Sequence, residues 1–202
     1  LHPRPRRQRQ MCIRDRLKGE QILKDGIQDG PFKVYHENGQ LKIEGTSKSG
    51  KPDGLLKTYN DNGQLRFEST YKDGIQDGPY KSYFEHGQLK EEGTYANNKV
   101  EGLFKWYYTN GQLRGEGFME NEKRNGPFRF YNENGQILEM GIMKDDKLEG
   151  PMKYYYPNGK LKQEGIFKNG VPDGLIKGYY DNGNIKFEEI FKDGELIDSK
   201  EY

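Results

Sequence analysis

Few residues in this 202-residue sequence have side chains suited to catalysis or metal binding. The histidines are His2, His36 and His86, and the one cysteine is Cys12, so neither an internal disulfide nor a cysteine-ligated metal site is expected. None of these residues recurs at a fixed spacing, whereas an active site needs a nucleophile with its base, a carboxylate pair or a metal cluster. We therefore predict a protein that is not an enzyme, with no catalytic residue, cofactor or metal.

Asp-Gly pairs such as Asp25-Gly26 and Asp73-Gly74 are the residues that come closest to a calcium site. Aspartate and glycine are also the usual residues of tight turns, because both tolerate the backbone angles that turns require. Their spacing differs from that of short calcium-binding β-roll repeats, so we interpret the pairs as turns.

The strongest pattern is a unit that recurs every 24 residues in seven copies without an insertion. Each copy opens with a glycine and carries a tyrosine five residues later, then a second glycine, then an aliphatic residue. The tyrosines and aliphatic residues are Tyr35, Tyr59, Tyr83, Tyr107, Tyr131, Tyr155, Tyr179, Leu41, Leu65, Leu89, Leu113, Ile137, Leu161 and Ile185. Such a strict period is typical of a repeat protein.

Turn residues within each copy predict a β-hairpin. In the sequence Tyr156-Pro157-Asn158-Gly159-Lys160, proline and asparagine suit the two central turn positions, and Gly159 suits the left-handed residue of a bulged three-residue turn. A two-residue Asn-Gly turn is the alternative, but it places Pro157 where a ladder N–H is usually needed. We favour the bulged turn, which pairs Tyr155 with Leu161.

This register predicts that the tyrosine and aliphatic columns share one face and form the core of the repeats. A later column is expected on the same face: Tyr71, Tyr95, Met119, Met143, Phe167 and Phe191. The predicted fold is all-β, an elongated repeat sheet of consecutive antiparallel β-hairpins that forms a twisted or curved open meander.

The repeats divide the chain into a non-repeat segment and an array. Residues 17–29 match the second half of a copy, residues 30–197 hold seven copies, and residues 198–202 form a short tail. We expect residues 1–16, which carry six arginines, to be a disordered or non-native tail, with a basic arm for an anionic partner as the alternative. The compartment would be cytoplasmic without a preceding signal peptide and exported with one, and the oligomeric state is left open.

Composition and charge exclude several functions. Hydrophobic residues make up 31% and charged residues 32% of the chain, and no run approaches the roughly 20 apolar residues of a membrane helix. Residues 1–16 hold six of the 33 basic and one of the 32 acidic residues, which leaves 27 and 31 in the repeats. A mildly acidic body with interleaved charges is not a nucleic-acid-binding surface.

One group of residues exceeds what a repeat scaffold needs. Two positions opposite the predicted core face become aromatic in the middle copies: Phe84, Trp106, Tyr108, Phe130, Tyr154 and Tyr156. Exposed aromatic patches often mark interaction surfaces, so we predict that these residues bind a partner. The alternatives are that this side of the sheet is itself packed, or that the rings only raise strand propensity.

The pattern Gly-x-x-x-x-Tyr-x-x-Asn-Gly-x-Leu-x-x-Glu, with a later aromatic residue, resembles the MORN repeat in its bacterial variant form (MORN_2) over residues 17–202. This resemblance implies stacked hairpins and a non-catalytic scaffold that binds proteins or membranes. It also implies a relationship to the YwqK-type antitoxins, which are thought to neutralise a partner toxin.

We therefore predict a protein-binding module of the antitoxin or adaptor kind, whose partner is another protein. The alternative is a carbohydrate- or cell-wall-binding array that stacks sugar rings on its aromatic residues. One tryptophan in seven copies counts against that alternative.

Overall fold

The computed structural model describes residues 7–13 and 16–202, with side chains from residue 18 onward. Backbone contacts divide the chain into two compact units, Leu1–Lys99 and Val100–Tyr202. All regular secondary structure of the described residues is β-strand, and successive long strands within each unit pair antiparallel. The predicted all-β fold of repeated hairpins is therefore confirmed.

The first unit contains nine strands, and a two-residue strand lies at its boundary. They are β1 (Arg7–Ile13), β2 (Arg16–Lys24), β3 (Ile27–Tyr35), β4 (Leu41–Lys48), β5 (Lys51–Pro52), β6 (Gly54–Tyr59), β7 (Leu65–Lys72), β8 (Ile75–Tyr83), β9 (Leu89–Ala96) and β10 (Lys99–Val100).

The second unit contains twelve strands. They are β11 (Gly102–Tyr107), β12 (Leu113–Glu120), β13 (Lys123–Arg124), β14 (Gly126–Tyr131), β15 (Ile137–Lys144), β16 (Lys147–Leu148), β17 (Gly150–Tyr155), β18 (Leu161–Lys168), β19 (Val171–Pro172), β20 (Gly174–Tyr179), β21 (Ile185–Lys192) and β22 (Glu195–Glu201).

The long hairpins close through the predicted three-residue turn. The N–H of Tyr156 donates to the carbonyl of Lys160 over 2.8 Å, and the N–H of Gly159 donates to the carbonyl of Tyr156 over 2.8 Å. Gly159 has a φ of 83°, in the left-handed region that glycine enters without a steric penalty. The bulged turn is therefore confirmed, and the two-residue alternative is excluded.

The connections between long hairpins form a second, shorter hairpin. Phe167 pairs with Pro172, and Lys168 pairs with Val171, around a turn at Asn169-Gly170. Both turn residues have positive φ, 52° for Asn169 and 89° for Gly170, as a type I′ turn requires.

A β-bulge at the start of each second strand reverses the expected alternation of faces. Tyr155 pairs with Leu161, but Tyr154 pairs with Gln163, so Lys162 is an extra residue in its strand. Phe167 then pairs with Gly150 and lies on the opposite face from Leu161. We expected the later column, Tyr71 to Phe191, to lie on the same face as the tyrosine and aliphatic columns. That expectation is therefore wrong.

The most buried hydrophobic side chains occupy a column that the sequence analysis did not select. Tyr80 is 3% exposed, Phe128 7%, Met152 2% and Ile176 3%, and each lies two residues after the glycine that opens its copy. In each unit, we call the side of the sheet that carries these residues the core face and the opposite side the open face. The later column belongs to the core face, where the rings of Tyr80 and Tyr95 lie 4.5 Å apart.

Glycine lies opposite most members of this buried column, although Ile176 pairs with Glu189. Phe128 pairs with Gly141, and a Cβ atom on Gly141 would lie 2.6 Å from Sδ of Met152 and 3.1 Å from Cε1 of Phe128. The absence of a side chain therefore allows a ring and a thioether to pack directly on the backbone.

The predicted core columns, Tyr35 to Tyr179 and Leu41 to Ile185, lie on the open face and are half-buried. Their tyrosines bind glutamates of the preceding copy: Tyr59 donates to Glu44 over 2.6 Å, and Tyr83 donates to Glu68 over 2.8 Å. Burial, followed by these hydrogen bonds, raises the pKa of Tyr59 and of Tyr83 to about 12. The tyrosines therefore form a polar ladder between copies, and the most buried hydrophobic side chains lie on the other face.

Both ends of the described chain continue the pairing pattern. Arg7–Ile13 pairs antiparallel with Arg16–Lys24. That residues 1–16 are a disordered or non-native segment stays a prediction. Residues 1–6 and 14–15 of that prediction lie outside the described residues. At the other end, Glu195–Glu201 pairs with Ile185–Lys192, so the predicted tail from residue 198 continues the sheet.

Candidate functional site

The six aromatic residues predicted to bind a partner lie on the core face and are all half-buried. The ring of Trp106 stacks on Phe104 with centroids 5.1 Å apart and meets the edge of Phe130 at 5.2 Å. Gly115 lies directly opposite Trp106 in the neighbouring strand. Trp106 and Phe130 thus contact other rings on the core face, and their role in binding a partner stays a prediction.

The members of this group next to the hairpin turns are held by cations and backbone carbonyls. The Tyr156 hydroxyl donates to the carbonyl of Tyr179 over 2.7 Å, and Lys162 lies over the Tyr156 ring at 5.8 Å. Tyr108 has the same kind of cation contact, with Arg114 at 5.6 Å. Lys162 and Arg114 occupy the bulge position of their strands, so the bulge directs a cation over the ring.

The open face of the second unit carries a row of exposed apolar side chains, which we call the apolar stripe. Its exposed fractions are 41% for Leu103, 38% for Phe118, 41% for Ile142, 53% for Ile166, 41% for Leu175 and 45% for Ile190. The stripe is completed by two exposed prolines, Pro127 and Pro151.

Strand pairing places the members of the stripe side by side. Leu103 pairs with Phe118, and the other pairs are Pro127 with Ile142, Pro151 with Ile166 and Leu175 with Ile190. Neighbouring strands lie about 4.8 Å apart, so eight strands present a row about 34 Å long and one residue wide. Its exposed apolar area is on the order of 500 Å², at the upper end of what single proteins leave uncovered.

In the second strand of each long hairpin, the equivalent positions of the first unit show that the fold does not require this apolar character. Thr46, Thr70 and Thr94 stand where the second unit has Phe118, Ile142, Ile166 and Ile190. Threonine is β-branched like isoleucine and suits a strand equally well. The change from threonine to larger apolar residues therefore needs a reason other than strand formation.

This row was not predicted from the sequence, although its signal is present there. The column that changes from threonine to phenylalanine and isoleucine is visible at the 24-residue period. Without the bulge, Pro151 and Ile166 would lie on opposite faces, so the predicted register did not bring the members of the row together.

Charged side chains border the stripe on both sides. Towards the long hairpin turns, salt bridges join Arg129 to Glu116 at 2.9 Å, Lys153 to Glu164 at 3.4 Å and Lys177 to Glu188 at 2.9 Å. Hydrogen bonds from Tyr202 and then from Lys177 lower the pKa of Glu188. The bordering row towards the short hairpins contains Glu120, Lys144, Lys168 and Lys192.

The same row of the first unit forms a shallow groove of about 460 Å³. Ile22, Pro31, Thr46 and Leu55 provide its apolar lining, and Glu20, Lys33, Glu44 and Lys57 provide its charged lining. Thr46 is smaller than the isoleucines of the stripe, which leaves the surface hollow here.

No group of three or more histidine, cysteine, aspartate or glutamate residues in the described chain is arranged to hold a metal ion. In the same residues, no helix has the length and apolar character needed to cross a membrane.

Comparison with known proteins identifies the repeat. Among curated proteins, no sequence matches the chain. The family described as MORN repeat variant matches it seven times, at residues 28–49, 52–73, 76–97, 100–121, 124–145, 148–169 and 172–193. Each match begins in the second strand of a short hairpin, contains the long hairpin that follows and ends in the next short turn. The match at residues 148–169, for example, contains strands β17 and β18. These matches cover most of the described residues, and the chain therefore belongs to the MORN repeat variant family.

Proposed function

We propose that this chain is a non-enzymatic, protein-binding repeat module whose partner docks on the apolar stripe of the second unit. The observation that carries the proposal is the contrast between the second-strand members of the stripe, such as Ile142 and Ile166, and the threonines at the equivalent positions of the first unit. Contiguous apolar surface with a polar border is typical of protein interaction sites. A standard protein interface covers about 800 Å² per partner, which the stripe and its charged borders supply together.

The charges of the second unit favour a protein over a polyanion. Residues 100–202 contain 15 basic and 18 acidic side chains, a net charge of −3. In addition, the cations Arg129, Lys153 and Lys177 beside the stripe are each paired with a glutamate. Nucleic acids and anionic membranes instead require a surplus of unpaired cations.

The packing of the aromatic side chains weakens the carbohydrate alternative. Sugar rings stack on exposed aromatic faces, whereas Trp106 contacts Phe104 and Phe130, and Tyr156 is covered by Lys162. The stripe itself consists mainly of aliphatic residues, with Phe118 as its one aromatic member. These contacts support protein as the ligand class.

More specifically, we propose that the chain acts as an antitoxin or an adaptor. Such proteins act by covering a surface of their partner, which requires a stable binding face and no catalytic group. The stripe supplies a face of this kind on a scaffold of repeated hairpins.

A capture experiment with matched variants tests the proposal. The tagged chain, the double variant Ile142→Thr/Ile166→Thr and the control Leu55→Thr are each incubated with a lysate of the source cells. The double variant introduces the residue that the first unit itself carries, and Leu55 is an exposed residue of the same row in that unit, at 48%. We expect one stoichiometric protein to bind the unchanged chain and the control, and to be lost with the double variant.

Two outcomes would contradict the proposal. Equal capture by the double variant would remove the stripe as the binding face. Retention on a glycan or cell-wall resin that is lost in Trp106→Ala/Tyr154→Ala, without capture of any protein, would favour the carbohydrate alternative. Thermal unfolding of every variant is measured alongside, because Trp106 and Tyr154 are partly buried and their removal also weakens the fold.

A further inference from the structure

We infer that the core face of the second unit binds the guanidinium group of an arginine side chain on a partner protein, held by the carboxylate of Glu139 between the rings of Phe130 and Tyr154. This site is separate from the apolar stripe, because it lies on the opposite side of the sheet. Its support is the position of Glu139 in the sheet, the residues around its carboxylate and the chemistry of the flanking rings.

Strand pairing places Glu139 between two aromatic side chains. Glu139 pairs with Phe130 in strand β14 and with Tyr154 in strand β17, and all three are half-buried on the core face. Directly paired residues on one face have Cβ atoms about 4.5–5.5 Å apart, so both rings lie beside the carboxylate. Trp106 extends the group, because its ring meets the edge of Phe130 at 5.2 Å.

The carboxylate of Glu139 is unpaired within the described chain. Among the residues that the structure describes, none forms a hydrogen bond or an ion pair with it. Burial raises the pKa of its carboxyl group. Burial, followed by the charge of Glu139, also raises the pKa of Tyr154. A partly desolvated negative charge therefore lies beside the Tyr154 ring, and a cation bound there would compensate it.

The equivalent carboxylate two repeats earlier shows how the fold can satisfy this position internally. Glu91 accepts a 2.6 Å hydrogen bond from the hydroxyl of Tyr80, which is buried on the core face. Two repeats later, the residue at the position of Tyr80 is Phe128. Phenylalanine has no hydroxyl, so Glu139 has lost this donor and keeps its oxygens available for a donor from outside the chain.

The bulge next to Glu139 also lacks the cation that the other copies have. Its residue is Leu138, whereas the six other copies have lysine or arginine at this position. The bulge cations of the flanking hairpins, Arg114 and Lys162, lie over tyrosine rings at 5.6 and 5.8 Å. In the described part of the chain, neither forms an ion pair with Glu139. The site therefore has a negative charge and rings, without a cation of its own.

A guanidinium group fits a carboxylate flanked by rings better than other ligands do. Its planar fork forms two parallel hydrogen bonds with one carboxylate, and its flat face stacks on aromatic rings. The ammonium group of lysine is more strongly hydrated and has no flat face. A neutral sugar would leave the charge of Glu139 unpaired, and an anion would be repelled by it.

Capped arginine tests this inference with the full chain. N-acetylarginine methylamide is titrated into the protein, and calorimetry measures its binding. The fluorescence of Trp106 is a second readout, because Trp106 is the only tryptophan in the chain and contacts Phe130. Capped citrulline has nearly the same shape as capped arginine without the charge, and capped lysine has an ammonium group in place of the guanidinium.

We expect capped arginine to bind at least tenfold more tightly than capped citrulline and several-fold more tightly than capped lysine. Glu139→Gln should weaken arginine binding at least tenfold. Glu133→Gln changes the net charge equally at an exposed turn residue and should leave binding unchanged. Phe128→Tyr supplies the hydroxyl with which Tyr80 binds Glu91, so it should satisfy Glu139 internally and weaken binding several-fold.

Several results would overturn the inference. Equal binding of capped citrulline would exclude a site that depends on charge, and equal binding by Glu139→Gln would place the cation elsewhere. Equal or tighter binding of capped lysine would exclude a preference for guanidinium. Ile142→Thr/Ile166→Thr should leave arginine binding unchanged, because these residues lie on the open face. If capped arginine does not bind while a protein is still captured through the stripe, this site is wrong and the proposed function stands.

Discussion

The hydroxyl of Tyr156 donates a 2.7 Å hydrogen bond to the main-chain carbonyl of Tyr179, which lies in the next repeat. Tyr108 and Tyr131 form the same contact at 2.7 Å, and Nε2 of His36 lies 2.9 Å from the carbonyl oxygen of Tyr59. The contact joins the turn of one hairpin to the end of the following strand. Because the stability of a repeat protein depends on contacts between neighbouring repeats, we expect this bond to affect the whole unit.

Tyr156→Phe removes this bond and keeps the ring. We expect the free energy of unfolding to fall by about 1 kcal/mol, the usual value of such a hydrogen bond. Urea denaturation followed by circular dichroism measures the loss. Tyr180→Phe is the matched control, because Tyr180 occupies the same position in its repeat and is 41% exposed. An equal loss in both variants would show that the bond to Tyr179 contributes nothing specific.

Gly141→Ala should strain the core face. The added Cβ would lie 2.6 Å from Sδ of Met152 and 3.1 Å from Cε1 of Phe128, and overpacking of this kind costs about 1–3 kcal/mol. Thermal unfolding measures the loss. Gly141→Ala/Met152→Ala is the control, since removing the thioether relieves one contact and the two losses should then not add. If the losses of stability from the two substitutions simply add, the strain does not arise from the contact between position 141 and Met152.

Met140→Glu should strengthen a weak link between two repeats. The Tyr155 hydroxyl lies 3.6 Å from Sδ of Met140, whereas the equivalent Tyr179 donates to Glu164 over 2.8 Å. A glutamate at position 140 restores the acceptor, and we expect a gain of about 0.5–1.5 kcal/mol in the free energy of unfolding. Met140→Gln supplies a hydrogen-bond acceptor without a charge, so it separates the effect of the hydrogen bond on stability from the effect of the charge. A loss of stability in both variants would show that the thioether packs better than a polar group here.

The tyrosine ladder predicts a loss of stability at alkaline pH. The pKa of Tyr59 and of Tyr83 is raised from 10.0 to about 12 in the folded chain. Folding therefore favours the protonated hydroxyls, so their contribution is full below about pH 10 and is lost as the pH rises through 12. When tyrosinate is followed by ultraviolet absorbance as the pH is raised, some tyrosines of the folded chain should ionise only near pH 12. In urea, where the chain is unfolded, this group should be absent. Tyr59→Phe/Tyr83→Phe should remove part of that group, and an unchanged titration would contradict the assignment.

Repeated hairpins and their turns could be predicted because they depend on local residue types. Pro157, Asn158 and Gly159 fix a three-residue turn through their backbone preferences, and the turn sets the pairing of Tyr155 with Leu161.

The faces could not be predicted, because no residue type marks the bulge at Lys162. This one extra residue moves Phe167 to the other side of the sheet. Met152 was therefore missed as core, and its face was interpreted as a surface for binding. The stripe around Ile166 was missed for the same reason, because without the bulge Ile166 and Pro151 would lie on opposite faces.

The separation of the core face from the open face bears on how such a chain can evolve. Ile142 lies on one side of its strand, and Gly141, which Met152 and Phe128 cover, lies on the other. Substitution at Ile142 leaves those packed contacts in place. Copies produced by duplication can therefore diverge at one position in 24, as Thr70 and Ile142 have done, and acquire a new ligand without compensating changes in the interior.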